Sequence, residues 1–320
     1  MKSSIITGIT GQDGAYLAKL LLEKGHSVIG ITRSYHQSNT SKLKYLGIEN
    51  EVLLEECDLS DITSIIKLLK RHKPNELYNL SAQSSVGLSF EQPIGTIQYN
   101  IISVLNLLES IRLLDLNTRF YQASSSEMFG KVDSLPITLK TPLHPLSPYA
   151  ISKAAAYWAA ISYRESYQLF VSNGILFNHE SYLRSNSFFI KKVIQESIKI
   201  KNGRQEFLQV GNIDIKRDFG YAPHYTEAMY LSLQTNTADD YLICSGTSVS
   251  LRSIIYHVFK TLQLDTELIK EDKRLFRPNE IKDIYGDNSF AKSKLGWNYN
   301  YPFFDILDML VEEELKNLSF

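Results

Sequence analysis

Short apolar runs alternate with longer amphipathic stretches through the first half of the chain. The runs predict buried strands near residues 4–7, 27–32, 51–55, 76–79, 119–124 and 169–176. The amphipathic stretches predict helices near residues 15–24, 62–72, 93–114 and 148–167. Such alternation is typical of α/β proteins, and it predicts a Rossmann-like, doubly wound parallel sheet with helices on both faces.

The alternation loosens after residue 176. Shorter patterned pieces follow at 188–201, 211–219, 277–287 and around Trp297, and they predict a smaller C-terminal α/β domain. Residues 241–245 are apolar like the earlier strands, so we expect them to return to the main sheet. The prediction is a main domain over residues 1–176 plus this strand, interleaved with the smaller domain, which lies mainly over residues 177–320.

Composition excludes several classes of partner. Lys plus Arg number 34 against 35 Asp plus Glu, so charge favours neither a nucleic acid nor an acidic membrane as partner. No apolar run approaches the roughly 18 residues of a membrane span, and the chain starts without an apolar signal stretch. Cys57 and Cys244 fit no metal-binding spacing. We therefore expect a cytoplasmic protein with reduced thiols and no metal site.

A glycine-rich turn follows the first predicted strand, with Gly8, Gly11 and Gly14 at three-residue intervals. Glycine lets the backbone bend sharply and approach a pyrophosphate, and the N-terminus of the next helix offers free N–H groups. The turn could also bind nothing, but its place after an N-terminal strand favours a dinucleotide site. Within the turn, the candidate cofactor contacts beside the glycines are Thr10, Gln12 and Asp13.

Arg33 follows the second predicted strand. NAD enzymes commonly place an acidic residue there for the ribose hydroxyls, whereas NADP enzymes place a cation for the extra phosphate. Arg33 therefore favours NADP, and NAD stays open because an exposed Arg at a strand end is common. Asp58 and Leu59 follow the third strand, where such folds contact adenine, although Asp58 could instead cap a helix.

Tyr149 and Lys153 lie four residues apart on a predicted helix, so both project from one face. We expect the cation to lower the pKa of the phenol, so that Tyr149 takes a proton from a sugar hydroxyl while a hydride leaves for nicotinamide. Ser125 and Glu127 follow the strand at 119–124, at the sheet edge that carries ligands.

Glu127 is the informative residue of this group. A carboxylate there can remove a carbon-bound proton made acidic by oxidation to a ketone, which is the chemistry of a dehydratase. The same residue could be an ordinary loop carboxylate or could cap the turn at Gly130.

Ordered motifs at residues 8–14, 78–84, 89–91, 122–127, 147–150, 177–181, 211–218, 277–280 and 295–297 resemble the GDP-mannose 4,6-dehydratases, which are extended short-chain dehydrogenases/reductases. The resemblance implies a hydro-lyase with tightly bound NADP. It would remove a hydride from carbon 4 of a GDP-sugar, eliminate water across carbons 5 and 6, and return the hydride to carbon 6. Tyr149 would be the base at carbon 4, assisted by Ser125 and Lys153, and Glu127 the base at carbon 5.

The resemblance also implies binding residues and assembly. The further cofactor contacts would be Leu80, Ala82 and His179. The GDP-sugar would meet Ser84, Asn178, Lys192, Arg217, Arg277 and Glu280, besides Glu127. A homodimer or homotetramer is expected.

The chain departs from the family pattern at several positions. Hydroxyl, apolar or aromatic residues replace the expected ones at Ser34, Ser85, Ser125, Leu146, Tyr182, Leu183 and Tyr221. Ser34 stands for a second Arg, which leaves open NADP against NAD and dimer against tetramer. Changes near the sugar make another GDP-sugar, such as GDP-manno-heptose, an alternative substrate. The same residues would also fit a nucleotide-sugar 4-oxidoreductase or epimerase, or a non-catalytic NADP-binding protein.

Overall fold

Three sheets organise the strands of the computed structural model, which describes residues 2–34, 39–276 and 279–318. The strands are β1 (Ser3–Thr7), β2 (Ser27–Thr32), β3 (Val52–Glu56), β4 (Glu76–Asn79), β5 (Arg119–Ser125), β6 (Val171–Leu176), β7 (Asn178–Glu180), β8 (Leu208–Val210), β9 (Lys216–Tyr221), β10 (Asp240–Ile243), β11 (Ser248–Ser250) and β12 (Ile269–Glu271). The helices are α1 (Gln12–Glu23), α2 (Ser41–Tyr45), α3 (Ile62–His72), α4 (Val86–Glu91), α5 (Pro93–Leu113), α6 (Pro148–Tyr167), α7 (Phe189–Lys201), α8 (Ala222–Ser232), α9 (Leu251–Leu262), α10 (Ser289–Leu295) and α11 (Phe303–Leu318).

The largest sheet has seven parallel strands in the order β10-β6-β5-β4-β1-β2-β3. One face packs on α3, α5 and α6 and the other on α1 and α8, through two separate apolar cores. The predicted doubly wound α/β fold is confirmed. The strand order reverses at β1, which lies between β2 and β4, and this is where such sheets open a crevice for ligands.

Local sequence explains where the helices of this layer begin and end. Ser147 accepts a hydrogen bond from the N–H of Ala150 and Pro148 occupies the first turn, so α6 begins there and ends where Gln168 turns left-handed. Helix α1 begins three residues before its predicted start, because Gly11 in an extended conformation precedes Gln12 directly.

The remaining strands form a second layer. β11, β9 and β7 make one small sheet and β12 pairs with β8 in another. Their apolar core includes side chains from α7, α9 and α11. Strand β10 is parallel to β6 in the large sheet, so the chain crosses between the layers more than once. Within the described ranges, none of the helices combines the length and apolar composition that a membrane crossing needs.

Candidate active site

A cavity of about 540 Å³ lies at the carboxyl ends of β4, β5 and β6, between the two layers. Its size is in the range of small-molecule sites. It brings together many of the predicted site residues. Those that line it are Gln12, Asp13, Leu80, Ala82, Ser84, Ser125, Glu127, Tyr149, Lys153, Asn178, His179, Arg217 and Glu280.

The four predicted catalytic residues share one wall. Ser125 ends β5, Glu127 lies in the short 3₁₀ helix Ser126–Met128, and Tyr149 and Lys153 lie on the first turns of α6. Ser125 lies near enough to Tyr149 to oppose the rise of its pKa. The backbone N–H of Glu127 donates to Ser125 Oγ at 3.3 Å. The arrangement places a hydroxyl pair and a half-buried carboxylate on the same side of the cavity.

The protonation of this wall differs from the prediction. Burial raises the pKa of Tyr149 to about 12, opposed by the hydrogen bond from Ser125 and the charge of Arg184. Lys153 Nζ donates to the carbonyl of Ala123 at 2.8 Å. The same nitrogen lies 5.9 Å from the centre of the Tyr149 ring. The predicted lowering of the Tyr149 pKa by Lys153 is therefore wrong, because burial dominates and the Lys153 amino group is directed to a backbone carbonyl. Burial also lowers the pKa of Lys153 to about 8.

A buried polar network positions Tyr149 from behind. Ser152 Oγ donates to the Tyr149 carbonyl at 2.7 Å, and Asn100 on α5 donates to Ser152 Oγ at 2.9 Å. Asn100 Oδ1 in turn accepts from the N–H of Gln83 at 2.8 Å. The network joins α5 and α6 to the loop after β4. Sequence reasoning missed it, because no local spacing relates residues on two different helices and a loop.

The glycine turn fits a dinucleotide. Gly8 adopts a positive φ of 72°, which side chains disfavour. A Cβ on Gly14 would lie 2.3 Å from the carbonyl oxygen of Gly8, so only glycine allows α1 to pack this closely on the turn. Gly11 precedes α1 without a side-chain cap, which leaves N–H groups of the first turn available to phosphate oxygens. Lys42 Nζ donates to the carbonyl of Thr10 at 3.2 Å, at the mouth of the same turn.

Three residues predicted to contact the cofactor, Gln12, Asp13 and His179, are joined by hydrogen bonds. Asp13 accepts from His179 Nε2 at 2.9 Å, and His179 Nδ1 lies 2.7 Å from the carbonyl of Phe177. Burial alone would raise the pKa of Asp13, but the His179 charge and hydrogen bond and the Arg184 charge lower it to about 2. Gln12 exchanges hydrogen bonds with the His179 carbonyl and Ser181 Oγ, so these contacts join α1 to β7.

The residues predicted for the adenosine end lie outside the cavity. Arg33 is exposed just after β2, and its guanidinium carbon lies 4.4 Å from the ring centre of Tyr99. Asp58 is exposed and accepts from Ser60, whereas the Leu59 side chain belongs to the apolar core. Arg33 and Asp58 therefore lie at the surface end of the crevice beside β1, whereas the side chain of Leu59 is buried below it.

The second layer supplies the opposite wall. Arg217 is buried and donates from Nη1 to the carbonyl of Ile281 at 2.6 Å. Glu280 accepts from Asn212 at 2.6 Å, and Asn178 Nδ2 donates to the carbonyl of Asp218 at 3.3 Å.

The last two predicted substrate residues are not part of the described lining. Lys192 does not line the cavity, since its Nζ donates to the carbonyl of Gln209 at 3.1 Å. Arg277 lies outside the described residues.

Sequence reasoning also missed a cation inside the cavity. Arg184 lines it, stacks on Phe188 with its guanidinium carbon 3.7 Å from the ring centre, and pairs with Glu180 at 3.5 Å. The available signal was its place directly after the altered Tyr182-Leu183 pair. The described part of the chain holds no group of three or more His, Cys, Asp or Glu side chains placed to bind a metal ion.

Comparisons with known proteins agree with this architecture. The model of the GDP-mannose 4,6 dehydratase family matches residues 5–310. GDP-mannose 4,6 dehydratase 1 of Arabidopsis thaliana is 42% identical over 326 residues, covering 98% of this chain and 90% of that protein. GDP-mannose 4,6-dehydratase of Sinorhizobium fredii is 38% identical over 342 residues, covering 99% of this chain and 97% of that protein.

Solved structures show the same fold at lower identity. A dTDP-glucose 4,6-dehydratase from Streptomyces venezuelae, solved with NAD, superposes with a TM-score of 0.89 at 20% identity and covers 99% of this chain and 98% of its own. RMD from Pseudomonas aeruginosa, complexed with NADPH, gives a TM-score of 0.83 at 24% identity and covers 99% of this chain and 100% of its own. The nearly complete family match and the relatives above identify this chain as a member of the GDP-mannose 4,6-dehydratase family.

Proposed function

We propose that this chain converts GDP-mannose to GDP-4-keto-6-deoxymannose with loss of water, using a bound nicotinamide dinucleotide that ends the cycle unchanged. The observation that carries the proposal is the placement of Ser125, Glu127 and Tyr149 on one wall of a single cavity. A hydroxyl pair alone suits sugar oxidation, and the added carboxylate supplies the base that elimination needs.

Tyr149 acts first in the proposed cycle. Its phenolate oxygen, on the same wall as Ser125, takes the proton of the carbon 4 hydroxyl as that carbon becomes a ketone. A dinucleotide bound at the Gly8, Gly11 and Gly14 turn would supply reversible hydride transfer for the oxidation at carbon 4 and the reduction at carbon 6. Lys153 places its amino group on the same wall as Tyr149, held there by the carbonyl of Ala123. Because burial raises the pKa of Tyr149, the phenolate that this step needs is the minor form of the side chain at neutral pH.

Glu127 acts on the ketone. Its carboxylate removes the carbon 5 proton, which the neighbouring ketone makes acidic, while the carbon 6 hydroxyl leaves as water with a proton returned from the same carboxyl group. Glu127 is half-buried, so its carboxylate can face the substrate without being enclosed by the protein. When the hydride returns to carbon 6, carbon 5 takes up the proton that Tyr149 had removed from the carbon 4 hydroxyl, so Tyr149 and Glu127 both regain their starting protonation and one cycle consumes no reductant.

The proposed cofactor is NADP, with NAD as the alternative. Support comes from Arg33 at the end of β2, the position that meets the ribose 2′-hydroxyl in this fold. Gly8, Gly11 and Gly14 would hold the pyrophosphate, while Leu80 and Ala82 would flank the nucleotide along the crevice.

The proposed GDP site is the wall of the second layer. Arg217 would meet the diphosphate, since a planar guanidinium gives paired, charge-assisted bonds to phosphate. Asn178 would lie beside the diphosphate and Glu280 beside the nucleoside. This division makes residues 1–176 with β10 the proposed dinucleotide half, and residues 177–320 mainly the proposed substrate half.

A homodimer is also proposed. The long helices α5 and α6 pack together and carry exposed apolar side chains on their outer faces, among them Ile94 at 71%, Trp158 at 58% and Ile102 at 42% exposure. Large exposed apolar side chains clustered on neighbouring helices are typical of interfaces. Light scattering of Trp158→Glu would test it: the parent is expected to be dimeric or larger and the variant monomeric, and a monomeric parent would refute the proposal.

The reaction is tested by incubating the protein with GDP-mannose and trace NADP. We expect a product lighter by one water, identified as a 4-keto-6-deoxy sugar by NMR, with no net NADPH. Steady accumulation of NADPH would instead show a simple dehydrogenase. Running GDP-manno-heptose, UDP-glucose and dTDP-glucose in parallel tests the substrate, and a faster reaction with a UDP-sugar would refute the GDP assignment.

Glu127→Gln separates elimination from oxidation. We expect the variant to lose dehydration while it still binds GDP-mannose, because the amide keeps the shape of the side chain but cannot take the carbon 5 proton. Exchange of that proton with deuterated solvent is the direct measurement. Exchange at the parental rate would exclude Glu127 as the base.

A further inference from the structure

Tyr99 on α5 connects two strand ends that flank the glycine turn. Its ring lies under the Arg33 guanidinium, with the guanidinium carbon 4.4 Å from the ring centre. Its hydroxyl and Ser81 Oγ are hydrogen-bonded at 2.8 Å. Arg33 follows β2 and Ser81 follows β4, and these strands are the two neighbours of β1. The ring therefore spans the surface end of the crevice where the strand order reverses.

The contact with Tyr99 restricts Arg33. Its guanidinium carbon lies over the Tyr99 ring, and the N–H groups of a guanidinium spread in its own plane, where they can bind a planar or tetrahedral anion. An exposed Arg otherwise has many rotamers and must lose that freedom when it binds. The Ser81 hydrogen bond fixes the ring, and the ring in turn restricts Arg33 before any ligand arrives.

We infer that Tyr99 is a positioning residue that holds Arg33 against the 2′-phosphate of an adenosine ribose, and so favours the phosphorylated dinucleotide. The inference rests on the proposed nicotinamide cofactor. Residues at the end of β2 meet the ribose 2′ position in this fold, and Arg33 is the cation at that position. Nothing in the sequence spacing pairs Arg33 with Tyr99, which lies on a helix two strands later.

Asp58 is the negative charge to consider at this site. The charge of Arg33 contributes to a lowered Asp58 pKa, behind the hydrogen bonds from Ser60, so the carboxylate is ionised there. Ser60 donates from both N and Oγ to Asp58 Oδ1, at 2.9 and 2.7 Å, and the carboxylate is thereby held by its own loop. Arg33 stays available for a phosphate, with Tyr99 as its support.

Calorimetric titration of the full chain, freed of copurified nucleotide, with NADP and with NAD tests the inference. In Tyr99→Leu we expect the Kd for NADP to rise roughly two- to fivefold, the amount that an exposed cation–π contact contributes, with the Kd for NAD unchanged. Tyr99→Phe keeps the ring and should keep most of the preference. Gln98→Ala, at the exposed neighbouring position of α5, is the matched control and should change neither Kd.

A double-mutant cycle distinguishes positioning from a general structural role. In an Arg33→Ala background, Tyr99→Leu should have no further effect on NADP, because the residue that it positions is gone. An equal loss for NADP and NAD, or the same loss with Arg33 absent, would overturn the inference and leave the proposed reaction intact. A parent that dehydrates GDP-mannose but does not prefer NADP would also overturn it. A parent that binds neither dinucleotide would refute the proposed function itself.

Discussion

The wall of the cavity that belongs to the seven-stranded sheet holds its reactive groups through regular elements. Ser125 ends β5, and Tyr149 and Lys153 lie one turn apart at the start of α6. Each position follows from a strand end or a helical spacing. A change at Ser125 or Tyr149 is therefore expected to alter the chemistry and leave the backbone in place, whereas Lys153 also joins α6 to β5 through the carbonyl of Ala123.

The opposite wall, from the second layer, holds its charges through contacts distant in sequence. Arg217 on β9 donates to the carbonyl of Ile281, and Glu280 accepts from Asn212. Here the same side chains that face the ligand also join separate segments of the chain. On the wall from the seven-stranded sheet (the first wall), the reacting hydroxyls can therefore be changed without loss of fold stability. On the wall from the second layer (the second wall), ligand binding and fold stability depend on the same side chains.

The largest expected effect is a loss of kcat on substitution of Tyr149, on the first wall. Tyr149→Phe removes the hydroxyl that takes the carbon 4 proton, so we expect kcat for GDP-mannose to fall by roughly 10²- to 10⁴-fold. The Kd for the substrate and the thermal midpoint should stay close to those of the parent. Steady-state kinetics with a melting curve for each protein are the measurements. A large loss of stability in the variant would contradict the separability of chemistry and architecture on this wall.

The contacts that join the two walls can be tested through the pH dependence of stability that Asp13 and Asp218 contribute. Asp13, between α1 and β7, has a pKa lowered to about 2, because the His179 and Arg184 charges outweigh the effect of burial. Its folded pKa is below the ordinary value of 3.8, so it stabilises the protein above pH 4 and this contribution is lost as pH falls toward 2. The shift corresponds to roughly 2 kcal/mol. We expect Asp13→Asn to flatten the acid limb of a denaturant-derived stability curve.

The pKa of Asp218, inside the second layer, is shifted in the opposite direction to that of Asp13. Burial raises its pKa to about 6, against the hydrogen bonds from Ser245, Gly246 and Gly286. A raised folded pKa adds stability below pH 4 that is lost as pH rises through 6. Stability should therefore increase on acidification from pH 7 to 4, and Asp218→Asn should remove this increase. The same slope in parent and variant would show that other groups titrate there.

A smaller effect, on KM, is expected from substitution of Arg217 on the second wall. Arg217→Lys keeps the charge but loses the planar fork, so we expect KM for GDP-mannose to rise about tenfold with kcat nearly unchanged. Lys216→Gln, at the exposed neighbouring position of β9, removes a charge without touching the cavity and serves as the control. If both variants raise KM equally, long-range charge and not a direct contact is responsible.

The same contrast explains what the sequence could predict of the fold. Predicted and observed bounds of the strands from β1 to β6 agree within two residues, because each is a buried apolar run between local turn signals. In the second layer the pattern fails. Strand β7 consists of Asn178, His179 and Glu180, and β9 contains the fully buried Asp218, so polarity does not mark exposure there.

The candidate site divides in the same way. Helical spacing correctly placed Tyr149 and Lys153 on one cavity wall, but it could not predict that Lys153 donates to the carbonyl of Ala123. Arg184 was missed and the Lys192 amino group is directed to a backbone carbonyl, since both positions depend on packing between segments. Spacing predicts which residues share an element, whereas the direction of a charged side chain depends on distant partners.

The smallest expected effect compares one substitution in the two kinds of structure. Gly95 lies in α5 with ordinary helical backbone and no atom within 4 Å of an added Cβ, so Gly95→Ala should stabilise the protein by about 0.5–1 kcal/mol. Gly246, in the loop after β10, also has room, but its φ of 92° disfavours any side chain. Gly246→Ala should therefore destabilise by about 1 kcal/mol. Denaturant midpoints measure both, and a stabilised Gly246→Ala would show that this loop adjusts its backbone freely, contrary to the coupling inferred for the second layer.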